Sequence, residues 1–327
     1  MRVSEQDPKA LFAPLEKARG ILLGLSGGPD SVAALALLSQ WPNHPPLYAA
    51  TFDHGFRAES RAEAQHCASL CAKLNIPHAI LTWEGDKPAT RIQEEARAAR
   101  YGALIAHAKE IGADHLITAH HADDQMETIL FRLMRGSAIG GLAGMRAQLS
   151  RDGITQARPF LGWRKSELIA VCEAQGLNYI RDPSNEDPRF ARTQMRRLSG
   201  QLEDAGLGPE TFARLAARAA RAEAALAEST EHLKADAILV RSEEKTELNA
   251  KRLENAPAEL VLRLLMAEIA RIGQIPRLEQ AEALAADLSA AWATGKPWRT
   301  TLGGALIDLK SDSVLVISRE APRRVGN

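Results

Sequence analysis

The stretch that most constrains this chain is Gly24-Leu25-Ser26-Gly27-Gly28-Pro29-Asp30-Ser31, between an apolar run, Ile21-Leu22-Leu23, and a helical pattern from Val32 to Leu38. A strand that turns into a helix through two adjacent glycines exposes backbone amides at the helix's positive end, and Ser26 and Ser31 add hydroxyl groups. Such a corner suits a phosphate. It is not the common P-loop, because no Gly-Lys-Ser/Thr follows the glycines. With no lysine to grip β- and γ-phosphates, it suits a triphosphate whose pyrophosphate departs better than γ-phosphoryl transfer. Asp30 has two readings, as a carboxylate holding Mg²⁺ against phosphate oxygens or as a cap on the helix. In isolation the stretch reads equally well as an ordinary strand–turn–helix corner.

The chain on either side extends the pattern. Strands are predicted at 21–25, 47–52, 78–82 and 115–119, and helices at 31–40, 60–74 (capped by Ser60), 91–111 (capped by Thr90) and 123–134. Short apolar strands alternating with amphipathic helices specify an α/β, doubly wound, mostly parallel sheet covered on both faces. Ligands bind such sheets beyond the carboxyl ends of the strands. Three polar clusters fall there: 26–31, 53–57 and 120–127. Residues 136–144 carry too much glycine for a regular element and read as a mobile loop. A helix is expected near 165–174, then a polar loop leading into a helix over 181–197. The pattern breaks around Gly200, Gly206, Gly208 and Pro209, which divides the chain into a first domain, 1–205, and a second, 206–327. The second is mainly helical (210–235, 257–272, 277–292). It ends in a small antiparallel sheet, with strands at 298–302 and 305–309 around Gly303-Gly304 and a third at 314–317.

Composition narrows the class. No apolar run is long enough to span a bilayer and no charged-then-apolar leader is present, which reads as a cytoplasmic protein with no membrane partner. Cys67, Cys71 and Cys172 make no disulfide framework and read as buried small residues. Net charge is zero but uneven: residues 132–199 hold 12 Lys/Arg against 6 Asp/Glu, whereas 1–131 hold 12 against 16. The basic band is either a polyanion-facing surface or a solvated face.

Further residues carry chemistry. In Thr118-Ala119-His120-His121-Ala122-Asp123-Asp124-Gln125-Met126-Glu127, two histidines and three acids stand where a strand meets a helix, and Asp124 and Glu127 share a helical face. They could bind an ammonium group, Mg²⁺ or zinc. First-turn acids answering the helix dipole would explain the acids but not the histidines. Arg97, Arg100, Arg132 and Arg135 are candidates for charge stabilisation near the phosphate loop. Arg192 and Arg196, one helical turn apart beyond Arg181-Asp182-Pro183-Ser184-Asn185, point together toward a polyanion or toward solvent.

Together these residues resemble the tRNA(Ile)-lysidine synthetase family, within the N-type ATP pyrophosphatases. Ser-Gly-Gly-x-Asp-Ser names only that superfamily, and specificity comes from combination. Asp53-His54-Gly55-Phe56-Arg57 is similar to the family's Asp-His-Gly-Leu-Arg, and Glu95-Ala96-Arg97 with Arg100-Tyr101 to its Glu-x-Ala-Arg-x-x-Arg-Tyr. The 118–128 block, Arg158-Pro159-Phe160-Leu161 and Asp182-Pro183-Ser184-Asn185 also fit, as does Leu302-Gly303-Gly304-Ala305 near the end. The family's Arg-Asn-Arg-x-Arg stands here as Arg192-Thr193-Gln194-Met195-Arg196, so only the outer arginines carry over.

The resemblance implies a PP-loop ATPase fold of the adenine nucleotide alpha hydrolase type, with ATP and Mg²⁺ as cofactors. The implied reaction joins free L-lysine to C2 of the wobble cytidine (position 34) of the CAU-anticodon isoleucine tRNA, through an adenylated cytidine. Ser26, Gly27, Gly28, Pro29, Asp30 and Ser31 would hold ATP, with Asp30 on the metal. Arg100 would stabilise charge near the α-phosphate, and His121 would orient the adenylate or move a proton. Asp124 and Glu127 would take lysine's amines, Arg192 and Arg196 would contact tRNA, and the 136–144 loop would close over the cytidine. The alternatives are a tRNA 2-thiolation enzyme, which commonly needs Cys-x-x-Cys pairs, an amide ligase, which needs a glutaminase, and a non-catalytic nucleotide-dependent RNA-binding protein. The Ala-rich helices of 210–292 leave room for a homodimer.

Overall fold

A computed structural model of the chain describes residues 8–56, 59–83, 92–180 and 191–320. The expectations placed on Arg57, Thr90, 181–190 and the Arg192 side chain lie outside those residues. The chain divides into two compact units, Met1–Arg135 with Ala143–Ala217, and Gly136–Leu142 with Arg218–Asn327.

In the first unit, α1 (Pro8–Phe12) leads into β1 (Ile21–Gly24), α2 (Pro29–Ser39), β2 (Leu47–Asp53), α3 (Ser60–Lys73), β3 (His78–Thr82), α4 (Ile92–Glu110), β4 (His115–Ile117) and α5 (Ala122–Met134). β5 (Gln148–Arg151), β6 (Ile154–Ala157), α7 (Lys165–Ala174), α8 (Ala191–Asp204) and the start of α9 (Pro209–Ala237) complete it, while α6 (Ile139–Leu142), between α5 and β5 in the chain, belongs to the second unit. The six strands lie in the order β3-β2-β1-β4-β6-β5, all parallel except β5, which runs antiparallel to β6. β1 is central, with Ile21 in register with Leu47 on one side and His115 on the other. Its side chains alternate between two cores. Ile21 and Leu23 pack with residues of α2, α3 and α7, and Leu22 packs with Tyr101, Leu104 and Ile105 of α4. Each such aliphatic side chain contributes about 1.5–3 kcal/mol when fully buried. Burial on both faces explains why this strand reads as a continuous apolar run.

The doubly wound architecture is the expected one, with local differences. Ser60 does not cap α3. It is the first helical residue, and its hydroxyl donates to Asp53 Oδ1 at 2.6 Å. The β5–β6 hairpin has no counterpart in the sequence reading, because all four β5 side chains are exposed and show no alternation. Its turn, Asp152-Gly153, has both residues at positive φ and was the legible signal. The glycine-rich stretch contains α6, so it is not wholly irregular.

In the second unit, β7 (Ile238–Arg241), β8 (Lys245–Asn249), α10 (Ala250–Glu254), α11 (Ala258–Ile272), α12 (Leu278–Thr294), β9 (Trp298–Leu302), β10 (Ala305–Leu309) and β11 (Val314–Arg319) follow the long α9. The strands form an antiparallel sheet ordered β7-β8-β11-β10-β9, two strands larger than expected. Leu264, Leu265, Ile269, Leu284 and Leu288 pack with Leu248, Ile307, Leu315 and Ile317 of the sheet. Glu268 is fully buried there, accepting from Thr246 Oγ1 at 2.7 Å, Arg271 Nε at 2.9 Å and Arg241 at 3.0 Å. Among the described residues, no helix is long and apolar enough to cross a membrane.

The Gly303-Gly304 turn gives the Leu-Gly-Gly-Ala motif a physical reason. Gly303 O accepts from Gln274 N at 2.7 Å, and a Cβ on Gly273 would lie 2.1 Å from that oxygen. Gly273→Ala is therefore expected to destabilise the second unit by about 1–3 kcal/mol, read as a lower urea midpoint at unchanged slope; an unchanged midpoint would show that the contact relaxes at no cost.

Candidate active site

The phosphate loop begins one residue past β1, where Leu25 N still donates to Ala50 O at 2.8 Å. Gly27 then adopts φ +80°, its carbonyl accepting from Ile180 N at 2.8 Å. Only glycine fits, since a Cβ would lie 2.5 Å from Ile180 Cδ1 and 3.1 Å from Cys67 Sγ. Gly28 is the N-cap of α2 and Pro29 follows it in the first turn. Ser31 Oγ donates to Gly28 O at 3.0 Å and accepts from Ser26 N at 3.1 Å. Its proton is thereby committed, so across the 3.1 Å gap between the two hydroxyls Ser26 is the donor. Both serines brace the loop. The carbonyls of Gly27 and Gly28 point into these bonds, and the first-turn amides of α2 have no intrahelical acceptor. Ser26, Gly27, Gly28, Pro29, Asp30 and Ser31 thus form one internally braced loop.

Asp30 lies in the first turn of α2, and Gly28 makes no side-chain cap. Its Oδ1 is buried without a hydrogen-bond partner, while Oδ2 lies 3.6 Å from His121 Nε2. A buried oxygen lacking a donor costs about 1–3 kcal/mol, and a hard divalent cation would satisfy it. The residue therefore fits Mg²⁺. Among the described residues no three His, Cys, Asp or Glu side chains gather as a metal site, which leaves the zinc reading of the histidine block without a ligand set.

The second cluster forms where β4 gives way to α5. His121 is the N-cap, its N–H donating to Asp124 Oδ2 at 3.1 Å. Its buried ring faces three carboxylates: Nε2 is 3.4 Å from Asp124 and 3.6 Å from Asp30, and Nδ1 is 3.4 Å from Asp123. Burial alone would disfavour the proton. Hydrogen bonds to Asp123 and Asp30, with the charges of Asp124 and Asp30, outweigh it and lift the pKa to about 10. At neutral pH His121 is an imidazolium, so Nδ1 donates to Asp123 and has no lone pair for the Asp124 amide 3.4 Å away. Asp123 is opposed by burial, but His121, the Lys165 amide at 2.9 Å and Arg164 hold it at about 2. Arg164 in turn contacts Glu203 at 2.6 Å and Glu210 at 3.0 Å.

His120 behaves oppositely. Burial dominates, Arg158, Arg97 and Arg100 add to it against Asp124, and the pKa falls to about 3. Its Nδ1 lies 2.9 Å from Thr118 Oγ1, which also accepts from Gln156 Nε2 at 3.1 Å. The same Gln156 nitrogen donates to the Tyr101 hydroxyl at 3.1 Å. Around the Tyr101 ring stand the guanidinium carbons of Arg97, Arg100 and Arg151, at 5.1, 5.3 and 5.2 Å. Arg100 thus belongs to a cationic cluster beside His120. Its helix neighbour Tyr101, with Gln156 and Arg158, enters the site without having been singled out for a role. A polar Gln156 inside an apolar strand and an arginine directly after it were the available signals.

Glu127 and Arg196, expected on different substrates, are paired with each other: Arg196 Nε lies 3.1 Å from Glu127 Oε1. Arg132 donates to Gly144 O at 2.7 Å, and Arg135 stacks on Phe131 at 4.1 Å, so neither joins the Tyr101 cluster. The Gln125 amide exchanges two bonds with the backbone of Met145, at 2.6 and 2.9 Å, pinning the end of the glycine-rich stretch. Asp53 Oδ1 accepts from Gly55 N at 2.9 Å and from Ser60, bracing its own loop.

Residues 2–202 match the PP-loop domain family. The chain is 43% identical over 338 residues to the tRNA(Ile)-lysidine synthase of Rhodopseudomonas palustris, covering 99% of this chain and 97% of that one. It is 44% identical over 316 residues to the tRNA(Ile)-lysidine synthase of a Methylobacterium species, covering 94% and 91%. Among solved structures, a U34-tRNA thiolase from Methanococcus maripaludis superposes with a TM-score of 0.56 over 66% of this chain and 78% of that one, at 18% identity, a likeness of fold.

The adjacent histidines should titrate far apart. Nitrogen NMR of the imidazoles at pH 7.5 is expected to show both ring nitrogens of His121 protonated and His120 neutral, with His120 still neutral at pH 5. A shared midpoint near 6.5 would contradict the electrostatic environment described above.

Proposed function

This chain belongs to the tRNA(Ile)-lysidine synthase family of PP-loop enzymes, and we propose that it uses ATP to join free L-lysine to C2 of the wobble cytidine in the CAU-anticodon isoleucine tRNA. The observation that carries this reading is the His121 ring, set between Asp30 of the phosphate loop at 3.6 Å and Asp124 at 3.4 Å. Groups suited to a phosphate and groups suited to an amine meet across one imidazolium.

In the proposed reaction, cytidine O2 attacks the α-phosphorus of ATP and pyrophosphate leaves. The ε-amine of lysine then adds at C2, the C2–O2 bond breaks, and O2 departs with AMP. The backbone amides of Gly27, Gly28 and Ser31 hold the phosphates, with Ser26 bracing the loop through Ser31 and Pro29 setting the helix start. Asp30 holds Mg²⁺, which supplies neutralising charge to the phosphate oxygens when bound. Arg100 offsets charge at the α-phosphate. Asp124 and Glu127 attract lysine's ammonium groups. His121 keeps Asp30 and Asp124 in place, and the neutral His120 is the better acceptor for the proton that the amine releases. Arg192 and Arg196 are assigned to tRNA, and Arg196 exchanges Glu127 for a phosphate when the substrates bind.

A sulfur-transfer route gains no support. Cys67, Cys71 and Cys172 are buried, and burial raises all three thiols, Cys71 to about 12 and Cys172 to about 11, which suppresses the nucleophilic thiolate.

The deciding experiment supplies labelled lysine, ATP and Mg²⁺ with isoleucine tRNA bearing CAU, and methionine tRNA as control. Label should enter the isoleucine tRNA alone, with AMP and pyrophosphate as products; ADP would refute the adenylation. Asp30→Asn should lower pyrophosphate release on the order of 100-fold, whereas Asp124→Asn should raise the KM for lysine about 10- to 100-fold. Equal effects of both variants on lysine KM would remove the division of roles.

A further inference from the structure

Charged side chains tie α8 to α5 at two places. Near the beginning of α8, Arg196 meets Glu127 at 3.1 Å. About two helical turns further on, Glu203 accepts from Arg164 Nη2 at 2.6 Å, and the same nitrogen lies 3.5 Å from Asp123 Oδ1. We propose that Arg164 is a positioning residue of the lysine-joining reaction: by linking Glu203 to Asp123 it holds α8, and with it Arg196, in place beside the amine-binding acids of α5. This deepens the function proposed above and rests on it.

The local structure makes no use of the Arg164 side chain. The residue is the N-cap of α7, where Ser, Thr, Asp or Asn usually offers an oxygen to the helix amides. Arginine has no such oxygen, and Glu167 Oε2 accepts from the Arg164 backbone N–H at 2.7 Å. Both neighbours are fixed to α5. Trp163 O accepts from Ala122 N at 2.7 Å, and Lys165 N donates to Asp123 Oδ2 at 2.9 Å. Further along α7, Cys172 Sγ donates to Pro29 O at 3.3 Å, seating the helix against α2. From this base the guanidinium reaches α5, α8 and the first turn of α9, where Nη1 meets Glu210 at 3.0 Å. All of these residues lie in the first unit. A planar fork can serve several carboxylates at once, which a lysine ammonium does less well.

The two ties differ in what can replace them. Under the proposed function Arg196 leaves Glu127 for a tRNA phosphate. Both terminal nitrogens of Arg164 are engaged with carboxylates, and a phosphate approaching them would be repelled by Asp123, Glu203 and Glu210. α8 therefore keeps this tie while it gives up the other. The sign of one substitution separates this role from bulk charge. Neutralising Glu203 makes the protein more positive, which by itself favours tRNA. Loss of the tie disfavours it.

The test measures lysine incorporation into isoleucine tRNA by the unaltered enzyme, Glu203→Gln, Arg164→Gln and the double variant. Glu203→Gln should raise the KM for tRNA about 10-fold and leave the KM for ATP unchanged. Arg164→Gln should do the same, and the double variant should be no worse than the worse single one, because the same tie is lost only once. A lowered or unchanged KM for tRNA in Glu203→Gln would overturn the proposal, as would effects that multiply in the double variant. The Glu203 side chain is 44% exposed, so this variant should fold, and it decides alone if Arg164→Gln does not fold by circular dichroism. Amide hydrogen exchange of the free protein needs no activity: residues 197–204 should exchange several-fold faster in Glu203→Gln than in the unaltered chain, with α3 unaffected. Unchanged exchange across α8 would equally overturn the role. If the unaltered enzyme joins lysine while KM and exchange stay unmoved in the variants, this inference fails alone; if it joins no lysine, the underlying function fails.

Discussion

The site depends on one imidazolium among three carboxylates. His121 holds Asp30, which arrives on α2 after β1, against Asp123 and Asp124, which arrive on α5 after β4. Without that positive charge, three acids from two neighbouring helix starts would meet with nothing to offset their mutual repulsion. With it, the N-termini of α2 and α5 are bridged through one ring. The loop's shape rests on the same economy of fixed bonds. Ser26 and Ser31 satisfy each other, Gly27 admits Ile180, and the amides are left facing outward.

The sheet that delivers these groups was legible from its apolar runs, because strands buried on both faces have nothing but hydrophobic positions to offer. The same logic explains the misses. β5 is an edge strand with every side chain exposed, so its four residues look like loop, and only the Asp152-Gly153 turn betrays it. β7 exposes Leu239 and Val240, again without alternation. Ser60 resembled a cap by its type and place, yet a carboxylate at the end of β2 claims its hydroxyl. Sequence spacing carries no information about a partner seven residues back across a loop.

Site residues were legible as types and less so as roles. Asp30, His120, His121, Asp123 and Asp124 gather where β1 and β4 end, with Arg97 and Arg100 beside His120, whereas Arg132 and Arg135 are engaged elsewhere. Which charge meets which is a three-dimensional matter. Glu127 and Arg196 lie 69 residues apart and pair at 3.1 Å. Each was expected on a ligand of its own, and under the proposed function those ligands would have to displace a pairing already made in the free protein. An ion pair with one half-exposed member is worth little net energy, so the exchange costs little when stronger partners arrive.

His120 and His121 make the clearest case of environment dividing identical residues. They are adjacent in sequence, both are largely withdrawn from water, and desolvation opposes the proton on each. Carboxylates overcome that penalty at His121 and arginines reinforce it at His120, leaving a fixed cation beside a neutral base. The proposed displacement by an amine would use both. A cation would hold the acids that collect the ammonium, and an uncharged imidazole would be at hand when that ammonium sheds its proton. A single histidine could not serve both ends, since the carboxylates that bind the amine would also keep the imidazole protonated. Opposed environments at neighbouring positions are how two like residues come to do unlike chemistry at one pH.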